Sequence, residues 1–284
     1  MSDITLGYTV PADDLRHYVT LFYHFHADVP VFEDVERADH AQIRFRLTGS
    51  DNSYTFADGS LQPAGDIHVI GPTSGAMRTR VSGPVDVIGM GLQPAGWAAM
   101  IGIDASTMLN RVIDAEILFG VGVNKVLHDM RAAPDVAAKV VIAEQFVRSA
   151  LTPLHSEAIS FAQQIDAWLA GSASPDVEEL ATAAGRSRRQ VERRCNAIYG
   201  VPPKLLARKY RALRAAVALA RGSATLDELL AEGFYDQSHL TRELKQFTGL
   251  TPRQMRDTQT PLAQLTIAQR VALGGKVHPI ISDT

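Results

Sequence analysis

Through the first hundred residues, apolar and polar positions alternate in short runs broken by Gly, Pro and Asp. Residues 18–25 are rich in aromatic and β-branched side chains, and residues 42–47 alternate, with Ile43, Phe45 and Leu47 on one face. Residues 54–56, 66–70 and 85–90 carry the same signal in shorter form. Strands spaced this way predict an antiparallel sandwich or small barrel. The period then lengthens. Residues 94–132 read as helix interrupted by Gly, and 134–151 as a cleaner helix. In the latter, Val136, Val140, Val147 and Leu151 fall near a heptad stripe that Glu144 partly interrupts. Two readings fit that stripe: packing on the helix's own domain, or a dimerisation face. Residues 151–157 would form the main boundary, giving domains at 1–154 and 155–260 with a tail at 261–284. Gly171-Ser172-Ala173-Ser174-Pro175 is a second linker candidate. The tail has a short helical pattern over 262–273, to which no role attaches.

From residue 176 the pattern becomes helix, turn, helix, and it does so twice. Residues 176–184 put Val177, Leu180, Ala181 and Ala184 on one face. Gly185 supplies the left-handed residue that a sharp turn needs, and Ser187 is placed to cap the next helix. That helix has an inner stripe of Val191, Cys195 and Ile198 and an outer face of Arg189, Glu192, Arg193 and Asn196. Arg188, Arg189, Arg193 and Arg194 crowd its start. In the major groove Arg binds guanine bidentately and Glu accepts from cytosine. Residues 203–221 form a long amphipathic helix with Leu206, Tyr210, Leu213 and Val217 inside. Its other face holds Lys204, Arg208, Lys209, Arg211 and Arg214, either as phosphate contacts or as a solvated surface. Residues 225–249 repeat the plan with a Gly233 turn, a capping Asp236, and Phe234, Leu240, Leu244 and Phe247 as buried residues. Gln237, His239, Thr241 and Arg242 project near the second helix's start, with Lys245 beyond them. Gln reads adenine as Arg reads guanine.

Composition narrows the class. The 284 residues, 46% hydrophobic and 21% charged, suit a soluble globular chain of two domains. No run of about 18 uninterrupted apolar residues is present, so no membrane span is expected. Met1-Ser2-Asp3-Ile4 lacks the basic start and apolar run of a secretory leader, which points to the cytoplasm. Cys195 is the single cysteine, leaving no intrachain disulfide or thiolate metal cluster. The net charge of −3 hides an asymmetry. Residues 1–154 hold 11 Lys and Arg against 18 Asp and Glu, whereas 155–260 hold 15 against 12. Only the second half is therefore suited to an anionic partner.

The motifs ATAAGRSRRQVERR, GVPPK, RALRAA, GFYDQSHLTRELK and TGLTPRQMR follow one another over residues 160–257 in the order seen in the AraC/XylS family, which this region resembles. The resemblance implies two helix-turn-helix subdomains joined by the long helix, with both recognition helices addressing successive major-groove segments. By motif position, Arg189, Glu192 and Arg193 would be base readers in the first, and Gln237, His239, Thr241 and Arg242 in the second. Arg188, Arg194 and Lys245 join the candidate DNA contacts. The sequence departs from the family pattern at Arg186, where an apolar residue is usual, and at Cys195 and Leu244, where aromatics are. Residues 225–233 are one residue short, placing Leu229 rather than a small Ala four before Gly233. The second motif's first helix is thus expected to be shortened or shifted. Residues 11–23, RFRLTG, HVIGPTSG and GMGLQPAGW resemble a sensory domain found before such units, cupin-like or related to small β-barrels.

A metal-dependent cupin enzyme is the alternative. His24 and His26, then Glu33, then His68 faintly resemble a cupin's metal motifs. Three imidazoles and a carboxylate bind iron, manganese or zinc, and His24 and His26 would share a strand face. The Glu spacing fits poorly, and no nucleophile elbow, phosphate loop or convincing pair of carboxylates is present. The expected protein is therefore α+β, with a β-rich, cupin-like or small-barrel N-terminal domain carrying helices and an all-α double helix-turn-helix domain. It is expected to be no enzyme and to need no cofactor or metal. Its expected partners are double-stranded promoter DNA, a small-molecule effector, RNA polymerase and a second copy of the chain.

Overall fold

The computed structural model describes residues 4–49, 51–152, 156–172 and 174–284. The expected boundary between 154 and 155 lies outside the described residues, as does Ala173 of the second linker. Alternating residues in the N-terminal part make strands β1 (Ile4–Thr9), β2 (Val19–Ala27), β3 (Val31–Glu36), β4 (Gln42–Thr48), β5 (Asn52–Thr55), β6 (Leu61–Pro63), β7 (Ile67–Ile70), β8 (Met77–Ser82), β9 (Val85–Leu92) and β10 (Val112–Asp114). One sheet has the order β1-β2-β9-β4-β7-β10 and the other β3-β8-β5-β6, and every pairing is antiparallel. The five expected strands are all present. Of the others, β3 and β8 are short and rich in charge, with Glu33, Asp34 and Glu36 in one and Arg78 and Arg80 in the other.

The six-stranded sheet is buried on both faces. Phe22, Ile43, Phe45, Val69 and Ile88 point to a core closed by α1 (Pro94–Met100), α3 (Val123–Ala132) and α4 (Val136–Ala150), while α2 (Ala115–Phe119) lies at its edge. The opposite face meets the four-stranded sheet, with Leu6 and Phe25 against Phe32 and Val81. The heptad-like stripe of α4 belongs to the first of these cores. Val140 and Val147 are buried there, Val136 and Leu151 pack against it, and Phe45 meets Phe146 edge-on. The stripe is therefore spent inside the protein, and of its two readings packing on the helix's own domain is the one found, not a dimerisation face. Val141, half-exposed, is what α4 turns outward.

The C-terminal part is helical: α5 (Ser156–Gly171), α6 (Val177–Ala183), α7 (Arg188–Tyr199), α8 (Pro203–Arg221), α9 (Leu226–Ala231), α10 (Gln237–Thr248) and α11 (Pro252–Asp257). One core gathers Ile165, Leu180, Val191, Cys195, Leu206 and Tyr210, and another Ala216, Leu229, Phe234, Leu240 and Leu244. Helix α8 contributes to both and so fixes one helix-turn-helix unit relative to the other. The tail forms α12 (Pro261–Val271) and α13 (Pro279–Ser282). Helix α12 bridges the two halves. Its Leu262 and Leu265 pack on the sheet interface, and its Ala263 and Ile267 on the second helical core. Ile280 and Ile281 of α13 fill the first helical core.

If the α4 stripe is internal, Val147→Ala should cost about 2 kcal/mol through lost burial and a residual cavity. Val141→Ser should stay within about 0.5 kcal/mol. Urea denaturation of the two variants measures this, and similar losses at both positions would contradict the packing described.

Candidate nucleic-acid interface and the cavity behind it

Local rules build α7. Gly185 adopts φ +60°, and Ser187 and Gln190 form a reciprocal capping box. Val191 and Cys195 are fully buried. Arg189 and Arg193 are exposed and make no hydrogen bond or ion pair among the described residues. The other candidates on this helix are engaged. Arg188 lies between Glu178 and Glu192, 3.1 Å from each. Arg194 turns back to α5, where it pairs with Glu157 at 2.7 Å, donates to its carbonyl oxygen and stacks over Phe161. Arg186 pairs with the same Glu157, so the unusual arginine after the turn glycine holds α5 against the motif.

The second motif is complete despite its missing residue. Helix α9 has six residues, one fewer than α6, but Thr225 and Glu228 make a capping box and Leu229 is buried in the core. Asp236 accepts from the His239 backbone N–H at 2.7 Å and caps α10. The expected shortening is real, and it leaves α10 capped and packed, with Phe234, Leu240, Leu244 and Phe247 all buried. Gln237, Arg242 and Lys245 are exposed and Thr241 is half-buried, with no side-chain partners among the described residues. His239 sits differently. Its Nδ1 accepts from the Tyr235 backbone N–H at 3.1 Å, and its Nε2 lies 3.1 Å from Glu243. The imidazole braces the turn.

Glu243 is the residue the sequence reading missed. Its side chain is 1% exposed and is gripped by Arg208 at 2.7 Å and Arg211 at 2.9 Å. Burial alone would raise its pKa, but the two guanidiniums outweigh burial and hold it below its ordinary value. Two more of the basic residues on α8 are also occupied or buried. Arg214 donates to the carbonyls of Leu169 and Ser172, and buried Lys209 reaches the Asp39 carbonyl. Burial pushes the Lys209 pKa down to about 8. Of the five basic residues on this face of α8, read as phosphate contacts or as a solvated surface, Lys204 is the one left exposed without a partner among the described residues.

The far end of α10 docks on the N-terminal loops. The Ala38 N–H donates to the Phe247 carbonyl and the Ala76 N–H to that of Gln246, both at 2.7 Å. A Cβ on Gly75 would stand 2.8 Å from the Gln246 oxygen, so this approach needs glycine. Behind the contact lies a cavity of about 120 Å³ between the two sheets. Leu213 and Val217 of α8 and Leu262, Thr266 and Ile267 of α12 close it. The polar positions of β4 face this cavity. Arg44 makes a two-point pair with Glu36 and donates to the Tyr23 and Tyr54 hydroxyls. His68 donates through Nδ1 to the Gly65 carbonyl at 2.9 Å, which leaves Nε2 to accept from the Tyr54 hydroxyl at 2.9 Å. Burial, followed by the charge of Arg44, pushes the His68 pKa down to about 3.

The metal residues of the alternative reading are scattered. His24 pairs with Asp86 at 2.7 Å, Glu33 pairs with Arg80 on the surface, and His68 lies in the cavity network. Among the described residues no three His, Cys, Asp or Glu side chains come together as a metal site. Burial pushes the Cys195 thiol up to about 12, far from the thiolate that a nucleophile needs. No helix among the described residues is long and apolar enough to cross a membrane.

A family model described as a helix-turn-helix domain matches residues 180–258, which span most of α6 and all of α7 to α11. Another, described as a domain of unknown function (DUF6597), matches residues 9–114. Among solved structures, ToxT from Vibrio cholerae with an unsaturated fatty acid bound is similar at 10% identity, covering 84% of this chain and 96% of that one with a TM-score of 0.46. A second ToxT structure from Vibrio cholerae is similar at 10% identity, covering 81% and 99% with a TM-score of 0.42. The AraC-like transcriptional activator CuxR is similar at 15% identity, covering 80% and 91% with a TM-score of 0.29. No curated protein matches the chain.

Two outcomes test this geometry. Glu243→Ala strands two arginines beside an emptied pocket and should lower stability by roughly 3 kcal/mol, read by urea denaturation. An unchanged midpoint would show that the clamp contributes nothing. For His68, the folded value near 3 lies below the ordinary 6.5, so the unfolded chain takes up a proton that the folded chain refuses. Stability must then fall as pH drops below 6.5. Asp166, pushed up to about 6 by burial, acts in the opposite direction below pH 6, so His68 is isolated by comparison with a variant. Between pH 6.5 and 5.5 the wild type should lose about 1 kcal/mol more than His68→Gln. Parallel pH profiles would contradict the buried neutral imidazole.

Proposed function

We infer that this chain, which carries an AraC-type helix-turn-helix domain in residues 180–258, is a sequence-specific DNA-binding transcription regulator controlled by a small molecule in its N-terminal cavity. The observation that carries this reading is the selective pairing of its arginines. Carboxylates and carbonyls engage Arg186, Arg194, Arg208, Arg211 and Arg214, while Arg189 and Arg193 on α7 and Gln237, Arg242 and Lys245 on α10 stay outward without partners among the described residues. Exposed Arg and Gln at the starts of two capped helices suit base edges in the major groove, and Lys245 and Lys204 suit phosphates. Arg188 and Glu192 hold each other at 3.1 Å and would enter the groove as a pair. Arg194 and His239 support the helices that carry the readers.

In this reading residues 1–154 form the sensory domain, 155–260 the DNA-binding domain, and 261–284 a tail. The tail couples them, because α12 touches the cavity, the sheets and the second helical core. An occupant that pushes on α12 would shift the second helix-turn-helix unit. A cytoplasmic homodimer that meets RNA polymerase belongs to the same reading. Its dimer contact would use the Val141 side of α4 or another surface, since the Val140 and Val147 stripe is internal. No catalytic role is proposed.

Fluorescence anisotropy with DNA from upstream of the protein's own coding region, in a salt series with random-sequence competitor, is the direct test. Specific binding that weakens steeply with salt is expected. Arg193→Ala should cost about 1–3 kcal/mol of affinity and relax preference at one base pair. Arg194→Ala should lower thermal stability and leave the preferred sequence unchanged. Uniform weakening on every sequence would make Arg193 a phosphate contact, and binding fully erased by random competitor would sink the regulator.

A further inference from the structure

The cavity wall holds polar atoms with nothing to bond. Arg46 Nε and Nη1, Arg37 Nε and Arg270 Nε are buried donors without partners among the described residues, and all three residues line the cavity. Buried donors are nearly always satisfied in folded proteins, so such a group calls for an occupant. Arg46 is the sharpest case. It is 4% exposed, and its guanidinium is held at one nitrogen, where Nη2 donates to Asp66 at 2.8 Å. Asp66 also takes Arg131 at 2.8 Å, so one carboxylate serves two guanidiniums. Arg44 differs, because Glu36 neutralises it at two points.

Charge points the same way. The lining includes Arg37, Arg44, Arg46 and Arg270 against Glu36 and Asp39, an excess of two positive charges. The rest of the wall is largely apolar, from Phe25 and Val87 on the sheet to Leu262 and Ile267 on α12. Space of about 120 Å³ approaches the roughly 150 Å³ of an apolar cavity that admits a benzene-sized molecule. Asn52 Oδ1 is an unpartnered acceptor on the same wall, suited to a water or a ligand hydroxyl. Water satisfies donors but leaves the charge excess and the apolar wall unmatched.

We propose that the cavity binds a small organic carboxylate, its anionic group on Arg46 and its apolar body against α12. This rests on the cavity being the effector site of the regulator described above. The ligand's charge would supply the acceptor that Arg46 lacks, and its apolar part would meet the helix that joins the two halves.

Full-length protein is titrated with octanoate, phenylbutyrate and octanol near neutral pH, by calorimetry and by thermal denaturation. The acids should bind and raise Tm, and octanol, equal in length to octanoate, should bind roughly tenfold more weakly or worse. Arg46→Met should erase the difference between acid and alcohol, while Arg46→Lys should restore part of it. If Arg46→Met does not fold, the wild-type comparison decides alone. Equal binding of acid and alcohol, binding of neither, or an acid preference that survives Arg46→Met overturns the proposal. Anisotropy with DNA on the same preparation separates the two readings. Intact specific DNA binding without acid preference sinks the ligand class alone, whereas absent DNA binding sinks the regulator.

Discussion

The Asp39 carboxylate lies where three distant stretches of chain meet. Arg270 of α12 pairs with it at 2.6 Å and Arg37 at 3.4 Å, and its backbone carbonyl takes the Lys209 ammonium of α8 at 3.4 Å. Burial would raise its pKa, but the two guanidiniums outweigh burial and hold the group well below its ordinary range. Beside it the Tyr210 hydroxyl bonds His40 at 2.6 Å, a second link between the halves. A buried charge is tolerable only when paired, and stranding its partners is expensive. The loop between β3 and β4, the long helix of the DNA-binding unit and the tail are therefore held to one another by a network that is costly to open.

The same physics decides which side chains are free to meet DNA. Glu157 takes Arg186 and Arg194, and Glu243 takes Arg208 and Arg211. Each carboxylate ties one helix to another and removes two cations from the surface. What is left outward on α7 and α10 is a small set of Arg and Gln side chains in the first half of each helix, with Lys245 in the last turn of α10. Net charge could not reveal this, since a paired and a free arginine count alike. Rigid placement of the free ones is what base readout requires, because a bidentate contact tolerates little positional error.

The cavity follows from the double burial of the six-stranded sheet. Its outer face takes the apolar residues of β4, and its inner face takes Arg44 and Arg46. A sheet with helices on one side and a second sheet on the other has no solvent face for polar side chains. They must find partners inside, as Arg44, Tyr54 and His68 do in full and as Arg46 does at one nitrogen, through Asp66.

The sequence by itself determined whatever depends on neighbours a few residues away. The turn glycines, the Ser187 and Asp236 caps, the inner stripes of α7 and α10 and the alternation of β4 are local, and each is found where the pattern put it. Tertiary structure decided what depends on residues far along the chain. Arg194 and Arg208 read as surface cations because Glu157 and Glu243 lie 37 and 35 positions away. The stripe of α4 fitted a dimer face or a core equally well until Phe45 was placed against Phe146. The alternation of β4 showed that Arg44 and Arg46 share a face, but only the second sheet and the tail made that face an interior. A periodic pattern fixes which side chains lie together, and the identity of the opposing surface is fixed by packing alone.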